Sequence, residues 1–370
     1  MDKLKAAEHK LKASVFGLSQ GFLKRADRNF RPLDGNQISK VLFLRPEKIG
    51  DLVVSLPVFD GLKKAYPHIA VSLVASPKNV ELIEHDPRFT KIYLYQKNIF
   101  KDLIELRDIR REKFDCVVDM ICDDSVTALF LAQLCAPGKP RIGIGKRKFR
   151  DYYDFNYDHR MGNTGHIIDN TLGLLNAFGI DSTKASGYAP PFVNQAAFEK
   201  AERYLASLPR VPGKSFRIGY NISAGASSRI WAAEKSEELI KRILDHYDGA
   251  QVIIISVNSS RARGEALLSK FSSNLFHVPP GLTLMEASAI VSKLDLLITP
   301  DTSLVHIARS FHVPVVGMYC KFQKNFLLWS PYGQEEGAVV SNHDGNIFDI
   351  TVDHAFGTVT KVLAVGKQVV

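Results

Sequence analysis

The chain has 370 residues, 45% of them hydrophobic and 24% charged, enough for about two packed domains. Its formal net charge of +9 is too modest for a dedicated nucleic-acid binder and suits an anionic substrate or a membrane surface. No apolar run approaches the roughly 20 residues that span a bilayer. Cys116, Cys122, Cys135 and Cys320 form no CxxC pair and no metal-ligand cluster, which fits a reduced cytoplasmic chain with buried thiols and no metal.

Residues 1–37 are Lys-rich. Leu4, Leu11, Val15, Leu18 and Phe22 recur at helical spacing, with Lys3, Lys5, Lys10, Lys12, Lys24, Arg25 and Arg28 largely off that stripe. A basic amphipathic helix is expected, lying on an anionic membrane or packing on the protein's own surface or on a second subunit. It lacks the continuous apolar core of a signal peptide.

From Lys40 onward the pattern alternates. Residues 41–45 read as a buried strand and 51–66 as a helix with Pro57 at a kink. Strands are expected at 70–75, 91–95, 114–120 and 141–144, with helices between them. Residues 181–215 are rich in Pro, Ser and Ala and mark a domain boundary, with a linker at 186–215. A second series follows: strands at 216–222, 251–256, 295–299 and 313–319, an amphipathic helix at 233–247, a capping-box helix start at Thr283–Glu286 and a short helix at 302–311. A last helix is expected within 351–370. Short apolar strands alternating with helices imply parallel sheets covered on both faces. The expected organisation is therefore two doubly wound α/β domains, at 38–185 and 216–350, which bind ligands beyond the carboxyl ends of their strands.

Four loops carry candidate chemistry. Asp51 opens the first helix beside Gly50. Its type and spacing alone favour a helix cap, with a general base as the sharper reading. The loop 223-SAGASSRIW-231 offers amides, Ser227 and Ser228 to phosphate oxygens and the Arg229 guanidinium to their charge. It is not a Walker loop. In 299-TPDTSLVHIA-308, Asp301, Thr302 and Ser303 open a helix suited to an anion, with His306 one turn in as either a ligand contact or a core residue. The run 141-RIGIGKRKFR-150 places Arg141, Lys146, Arg147, Lys148 and Arg150 together without an acid. Such a run is a solvated face or a site for phosphorylated sugar or lipid. Gly143 and Gly145 make no dinucleotide fingerprint. Lys48 and His166 are further contacts to test, His166 also as a cap or core residue.

Two segments together resemble glycosyltransferase family 9, the bacterial heptosyltransferases: 41-VLFLRPEKIGDLVVSLPVFDGLKKAYPHIAVSLVAS-76 and 295-DLLITPDTSLVHIARSFHVPVVGMY-319. The segments 219-GYNISAGASSRIWAAEKSEELI-240 and 281-GLTLMEASAIVSKLD-295 fit the same pattern, so the resemblance covers about residues 40–365. It implies a GT-B fold, two Rossmann-like domains facing a central cleft. It implies inverting, metal-independent transfer of heptose from ADP-heptose to the lipopolysaccharide inner core, without a cofactor. Asp51 then matches the family's catalytic base, and Asp301, Thr302, Ser303, His306 and Arg229, with Ser227 and Ser228, match its donor site. Lys48, Arg141, Lys146, Arg147 and His166 become acceptor contacts. The implied partners are a nucleotide sugar and a lipid-linked saccharide, with the cytoplasmic face of the inner membrane as the surface served. Ser303 stands where the family has Gly, and Arg229 where some members have Lys. Two rival readings are a GT-B enzyme for another nucleotide sugar and a non-catalytic binder of anionic glycolipid. A dehydrogenase is disfavoured by the missing G-x-G-x-x-G.

Overall fold

In the computed structural model, residues 21–366 are described apart from 22, 28, 123, 159–164, 210, 212–215 and 322. The chain forms two units, Met1–Gly187 and Tyr188–Val370.

The first unit opens with β1 (Lys40–Leu44), whose last four residues are fully buried. α1 (Ile49–Val53) and α2 (Leu56–Ala65) lead to β2 (Ala70–Ala75) and β3 (Lys91–Leu94). α3 (Ile99–Glu112), β4 (Cys116–Asp119), α4 (Val126–Cys135), β5 (Arg141–Ile144), β6 (Phe155–Tyr157) and α5 (Ile167–Leu172) follow. All six strands pair in parallel in the order β3-β2-β1-β4-β5-β6, with Val41 against Val71 on one side and Cys116 on the other. The strands are largely apolar because helices cover the sheet on both faces. Phe59 of α2 meets Phe43 of β1 and Phe89 edge to face at 4.9 Å each, contacts worth about 0.5–1.5 kcal/mol apiece beyond the area they bury.

The helix expected over 51–66 is two helices. Pro57 has no amide hydrogen to donate and crowds the preceding turn, so α1 stops and Pro57 instead sits in the first turn of α2. Residues 1–20 of the expected N-terminal amphipathic helix lie outside the described residues. Between residues 23 and 37 the described chain forms no α-helix, only a 3-10 turn at Gly35–Gln37. It packs on its own unit: Leu23 packs against the buried core, and the Leu33 amide donates to the Ala177 carbonyl at 2.8 Å.

The second unit begins before its sheet. The stretch read as a linker carries α6 (Gln195–Ser207), which buries Ala197, Ala201 and Leu205. β7 (Phe216–Asn221), α7 (Ala233–His246), β8 (Ala250–Ile255), α8 (Arg261–Leu268), β9 (Leu275–His277) and α9 (Leu284–Val291) follow. Then come β10 (Leu296–Pro300), α10 (Ser303–Ser310), β11 (Val315–Tyr319), α11 (Gln323–Trp329), β12 (Ala338–Val340) and α12 (Val352–Gly366). The expected capping box opens α9: Thr283 Oγ1 accepts from the Glu286 amide at 3.2 Å, and Glu286 Oε2 from the Thr283 amide at 3.0 Å. The C-terminal helix is part of this unit, since Ala355, Val359 and Val362 enter its core.

The strand order here is β12-β11-β10-β7-β8-β9, again all parallel. Counted from each unit's first strand, both sheets therefore run 3-2-1-4-5-6. No sequence repeat announces this, because right-handed crossovers and the burial of a parallel sheet constrain topology more tightly than residue identity. β6, β9 and β12, of three residues each, were not expected; strands that short leave no periodicity to read.

All four cysteines are free; Cys116 and Cys135 are buried, Cys122 and Cys320 half-buried. Burial raises the Cys116 thiol well above its ordinary range and pushes Cys135 up to about 12. Only the thiolate attacks a disulfide reagent. Native protein should titrate quickly with Ellman's reagent at Cys122 and Cys320 only, and at Cys116 and Cys135 after denaturation; prompt native reaction of all four would contradict the packing.

Candidate active site

In a sheet of this order the connections after the first and fourth strands leave in opposite directions, opening a crevice at their carboxyl ends. In the first unit that point lies between β1 and β4. Arg45, immediately after β1, is 1% exposed. Its Nε donates to the Asp51 carbonyl at 2.9 Å, and its Nη1 to Glu47 Oε2 and to the Met120 carbonyl just after β4. Ser55 Oγ donates to the same Asp51 carbonyl at 2.7 Å. This carbonyl would have met the Ser55 amide had the helix run on, so the break ahead of Pro57 is what offers it to the guanidinium.

Asp51 is not the cap. Lys48 is the N-cap of α1, and Asp51 sits on its first turn, where Oδ2 accepts from the Lys48 amide at 3.1 Å. Oδ1 lies 3.9 Å from Arg45 Nη2, which has no hydrogen-bond partner among the described residues. The Asp51 side chain is 17% exposed, so the carboxylate is held from below and open at the strand-end rim. Glu47, the second carboxylate on Arg45, is pushed above its ordinary range by burial, against the pull of the guanidinium.

Beside it lies a buried charge pair that the sequence reading did not assemble. Asp119, the last residue of β4, accepts from Lys146 Nζ at 2.8 Å and from Tyr153 Oη at 2.5 Å, and both members of the ion pair are fully buried. Lys146 Nζ also donates to the Ile121 carbonyl at 2.6 Å. Gly143 makes room: a Cβ there would lie 2.7 Å from Cδ1 of Tyr153. The only sequence signal was an acid closing an otherwise apolar strand.

The basic run is divided by this packing. Arg141 begins β5 at the end away from the crevice; it is buried, donates to the Tyr152 carbonyl at 2.7 Å and pairs with Asp154 at 3.5 Å. It is a structural cation and not an acceptor contact. Lys146 is committed to Asp119. Arg147 and Lys148 are exposed, on a loop whose amides at 147, 148 and 149 converge on the Asp124 carboxylate at 2.9–3.1 Å. His166 caps α5, its Nδ1 accepting from the Ile168 amide at 3.1 Å. Lys48 is exposed at the Asp51 loop.

In the second unit the reversal falls between β7 and β10. Asn221 closes β7 and its buried amide ties the strand ends together, donating to Thr299 Oγ1 at 2.9 Å, Thr302 Oγ1 at 3.3 Å and the Ser223 carbonyl at 3.2 Å. Thr302 is the N-cap of α10, yet its hydroxyl is turned to Asn221 and Thr299 and makes no cap bond. Thr302 therefore supplies no side-chain cap to the first turn of α10, whose Val305 amide donates to the Thr302 carbonyl at 3.1 Å. Arg229 ends a 3-10 turn, Ser227–Arg229, with Ser227 exposed and Ser228 half-buried. Its Nη1 donates to the Asp301 carbonyl at 3.0 Å and pairs with Asp301 Oδ2 at 2.9 Å. Asp301, Thr302, Ser303 and Arg229 are thereby gathered at one strand end. His306, 2% exposed, lies beneath them with its ring 5.7 Å from that of Trp329. Among the described residues, no three His, Cys, Asp or Glu side chains converge as metal ligands.

A family model described as glycosyltransferase family 9 (heptosyltransferase) matches residues 105–352. The chain belongs to glycosyltransferase family 9. It is 23% identical over 323 residues to the lipopolysaccharide core heptosyltransferase OpsX of Haemophilus influenzae, covering 85% of this chain and 88% of that protein. Among solved structures it resembles a family 9 glycosyltransferase from Veillonella parvula, with TM-score 0.72, 18% identity and coverage of 92% and 100%. It also resembles the E. coli ADP-heptose lipopolysaccharide heptosyltransferase II, with TM-score 0.68, 17% identity and coverage of 89% and 99%. The fold is GT-B, built from two Rossmann-like units, and the chain is a glycosyltransferase.

Removing Lys146 leaves the Asp119 charge buried without its counter-ion. Lys146→Met should destabilise the protein by about 3–5 kcal/mol, read as the midpoint of urea unfolding, whereas Arg147→Met on the exposed loop should change it little. Equal, small effects would show that the pair does not support the β4–β5 strand ends.

Proposed function

We propose that this glycosyltransferase moves heptose from ADP-heptose to a lipid-linked inner-core saccharide, inverting the anomeric carbon without a metal, with Asp51 as the general base. The observation that carries the reading is the setting of Asp51: a carboxylate at the strand-order reversal, held by an amide and a guanidinium, with its rim side open. The relatives named for heptosyl transfer support the choice of sugar and donor.

In this reading the second unit binds ADP-heptose. The amides opening α10 and the Arg229 guanidinium take the diphosphate, with Ser227 and Ser228 beside it. Charge growing on the leaving ADP is met by Arg229 and the α10 dipole, fixed groups that need no reorganisation as the bond breaks. The acceptor is bound by the first unit, with Lys48 and Arg147 as exposed cations for its phosphates. Asp51 removes the proton of the acceptor hydroxyl as that oxygen attacks the anomeric carbon from the face opposite ADP. The C–O bond to the acceptor forms, the bond to the diphosphate breaks, and the proton stays on Asp51 until solvent takes it.

Asp51→Asn should lower kcat by about 10²–10⁴ while ADP affinity, read by calorimetry, stays within a few-fold; near-normal turnover would remove Asp51 from the chemistry. Arg229→Ala should weaken ADP binding by about 1.5–3 kcal/mol and leave adenosine binding nearly unchanged, since the contact is to the diphosphate. Equal losses for both ligands would put Arg229 away from the phosphates.

A further inference from the structure

One face of α3 is unlike the rest of the surface. Ile99, Phe100, Leu103 and Ile104 are exposed at 69%, 77%, 56% and 56%, and Leu134 of the neighbouring α4 at 40%. These are five of the eight large hydrophobic side chains exposed among the described residues. At helical spacing the stripe continues through Arg107, Arg110 and Arg111, all exposed. These three arginines line a groove of about 370 Å³ with Leu103 and Leu106. The acids of α3 lie off this stripe. Asp102 accepts from the Gln96 amide at 2.8 Å, and Glu112 pairs with Lys40 and Lys91 at 2.9 and 3.2 Å. Asp108, at the margin, meets Arg111 at 3.3 Å and Arg107 at 3.6 Å. The helix therefore presents an apolar first half and a cationic second half on one side. Ile109 and Leu106 hold its opposite side on the core.

We propose that this face of α3 docks on an anionic lipid bilayer, with Ile99, Phe100, Leu103 and Ile104 in the acyl boundary and Arg107, Arg110 and Arg111 on lipid phosphates. Three observations select a membrane as the occupant. The charge pattern matches anionic headgroups, and guanidinium groups beside an apolar stripe are what holds a helix in an interface. Because all strands are parallel and α3 follows the carboxyl end of β3, its first turn lies at the carboxyl-end rim of the sheet, the rim where Asp51 opens, so docking there brings the acceptor's own surface to the base. The chain also enters beside this face. Leu23 packs against the same buried core as Leu106 and Leu131, and the Lys24 carbonyl accepts from Gln133 of α4 at 2.8 Å. Lys24 and Arg25, both exposed, therefore add cations beside α4. The proposal rests on the lipid-linked acceptor above for its purpose, but vesicle binding tests it apart from catalysis.

The test uses the full chain and its Phe100→Asp/Leu103→Asp variant, both sites being exposed. Wild-type protein should co-sediment with vesicles of phosphatidylglycerol and phosphatidylcholine and not with phosphatidylcholine alone, and binding should weaken in high salt. The variant should bind at least about tenfold more weakly, from the loss of two inserted side chains and the added repulsion. Its unfolding temperature, ADP affinity and turnover of a soluble, delipidated acceptor should be unchanged. An Arg107→Gln/Arg111→Gln variant should reduce the preference for anionic lipid while retaining the apolar stripe. Failure of the wild type to bind anionic vesicles, or equal binding by the apolar variant, overturns the proposal. So does a shift from dimer to monomer in light scattering without loss of vesicle binding, which would make the face a contact between two copies. Absence of wild-type turnover on the soluble acceptor, with wild-type vesicle binding intact, would instead count against the catalytic reading.

Discussion

The arrangement of the first unit turns on one buried guanidinium. Arg45 stands where β1 ends, and its donors reach the Asp51 carbonyl, the Glu47 carboxylate and the main chain beyond β4. It links both sides of the strand-order reversal to the loop that carries the carboxylate. A buried cation is costly unless its hydrogen bonds are supplied. Here the broken helix before Pro57, the turn at Glu47 and the end of β4 supply them. Packing, helix termination and placement of the reactive group are thus one problem with one solution. The Asn79 side chain adds a further brace, donating to the Arg45 carbonyl at 2.8 Å.

The second unit solves the same geometric problem with neutral side chains at its strand ends. Its strand ends are tied by the neutral Asn221, Thr299 and Thr302. Two sheets of identical order therefore differ in the electrostatics of their crevices. One holds a carboxylate between an amide and a buried cation. The other presents hydroxyls, helix amides and a single half-exposed guanidinium, a setting for an anion. Topology fixed where each crevice lies, and local residue choice fixed what it accepts.

Much of this was legible in the sequence. Continuous apolar runs located the principal strands, and the four candidate loops all lie after strands. What was not legible depended on contacts far apart in the chain. Lys146 looked like part of a solvated basic run, yet its partner Asp119 lies on a neighbouring strand, and Arg141 in the same run turned to the opposite end of the sheet. Asp51 had the residue type of a cap but reached back one turn to the Lys48 amide, a distinction that dihedral angles decide and spacing does not. The stretch 186–215 has a linker's composition, and tertiary burial of Ala197, Ala201 and Leu205 made a helix of part of it. The outward face of α3 escaped notice because a periodic pattern says which residues share a face, not whether anything covers it.

If Arg229 meets the donor diphosphate as proposed, its pairing with Asp301 bears on how that diphosphate leaves as well as how it arrives. A guanidinium already joined to a carboxylate at 2.9 Å does not simply gain an anion; it trades one for another. Part of the attraction of an incoming diphosphate is spent releasing Asp301, so the net affinity is lower than for an unpaired arginine. The same carboxylate stands ready to recapture the cation when the phosphates depart. Such an internal competitor restrains product retention and favours repeated turnover over tight holding of the spent nucleotide.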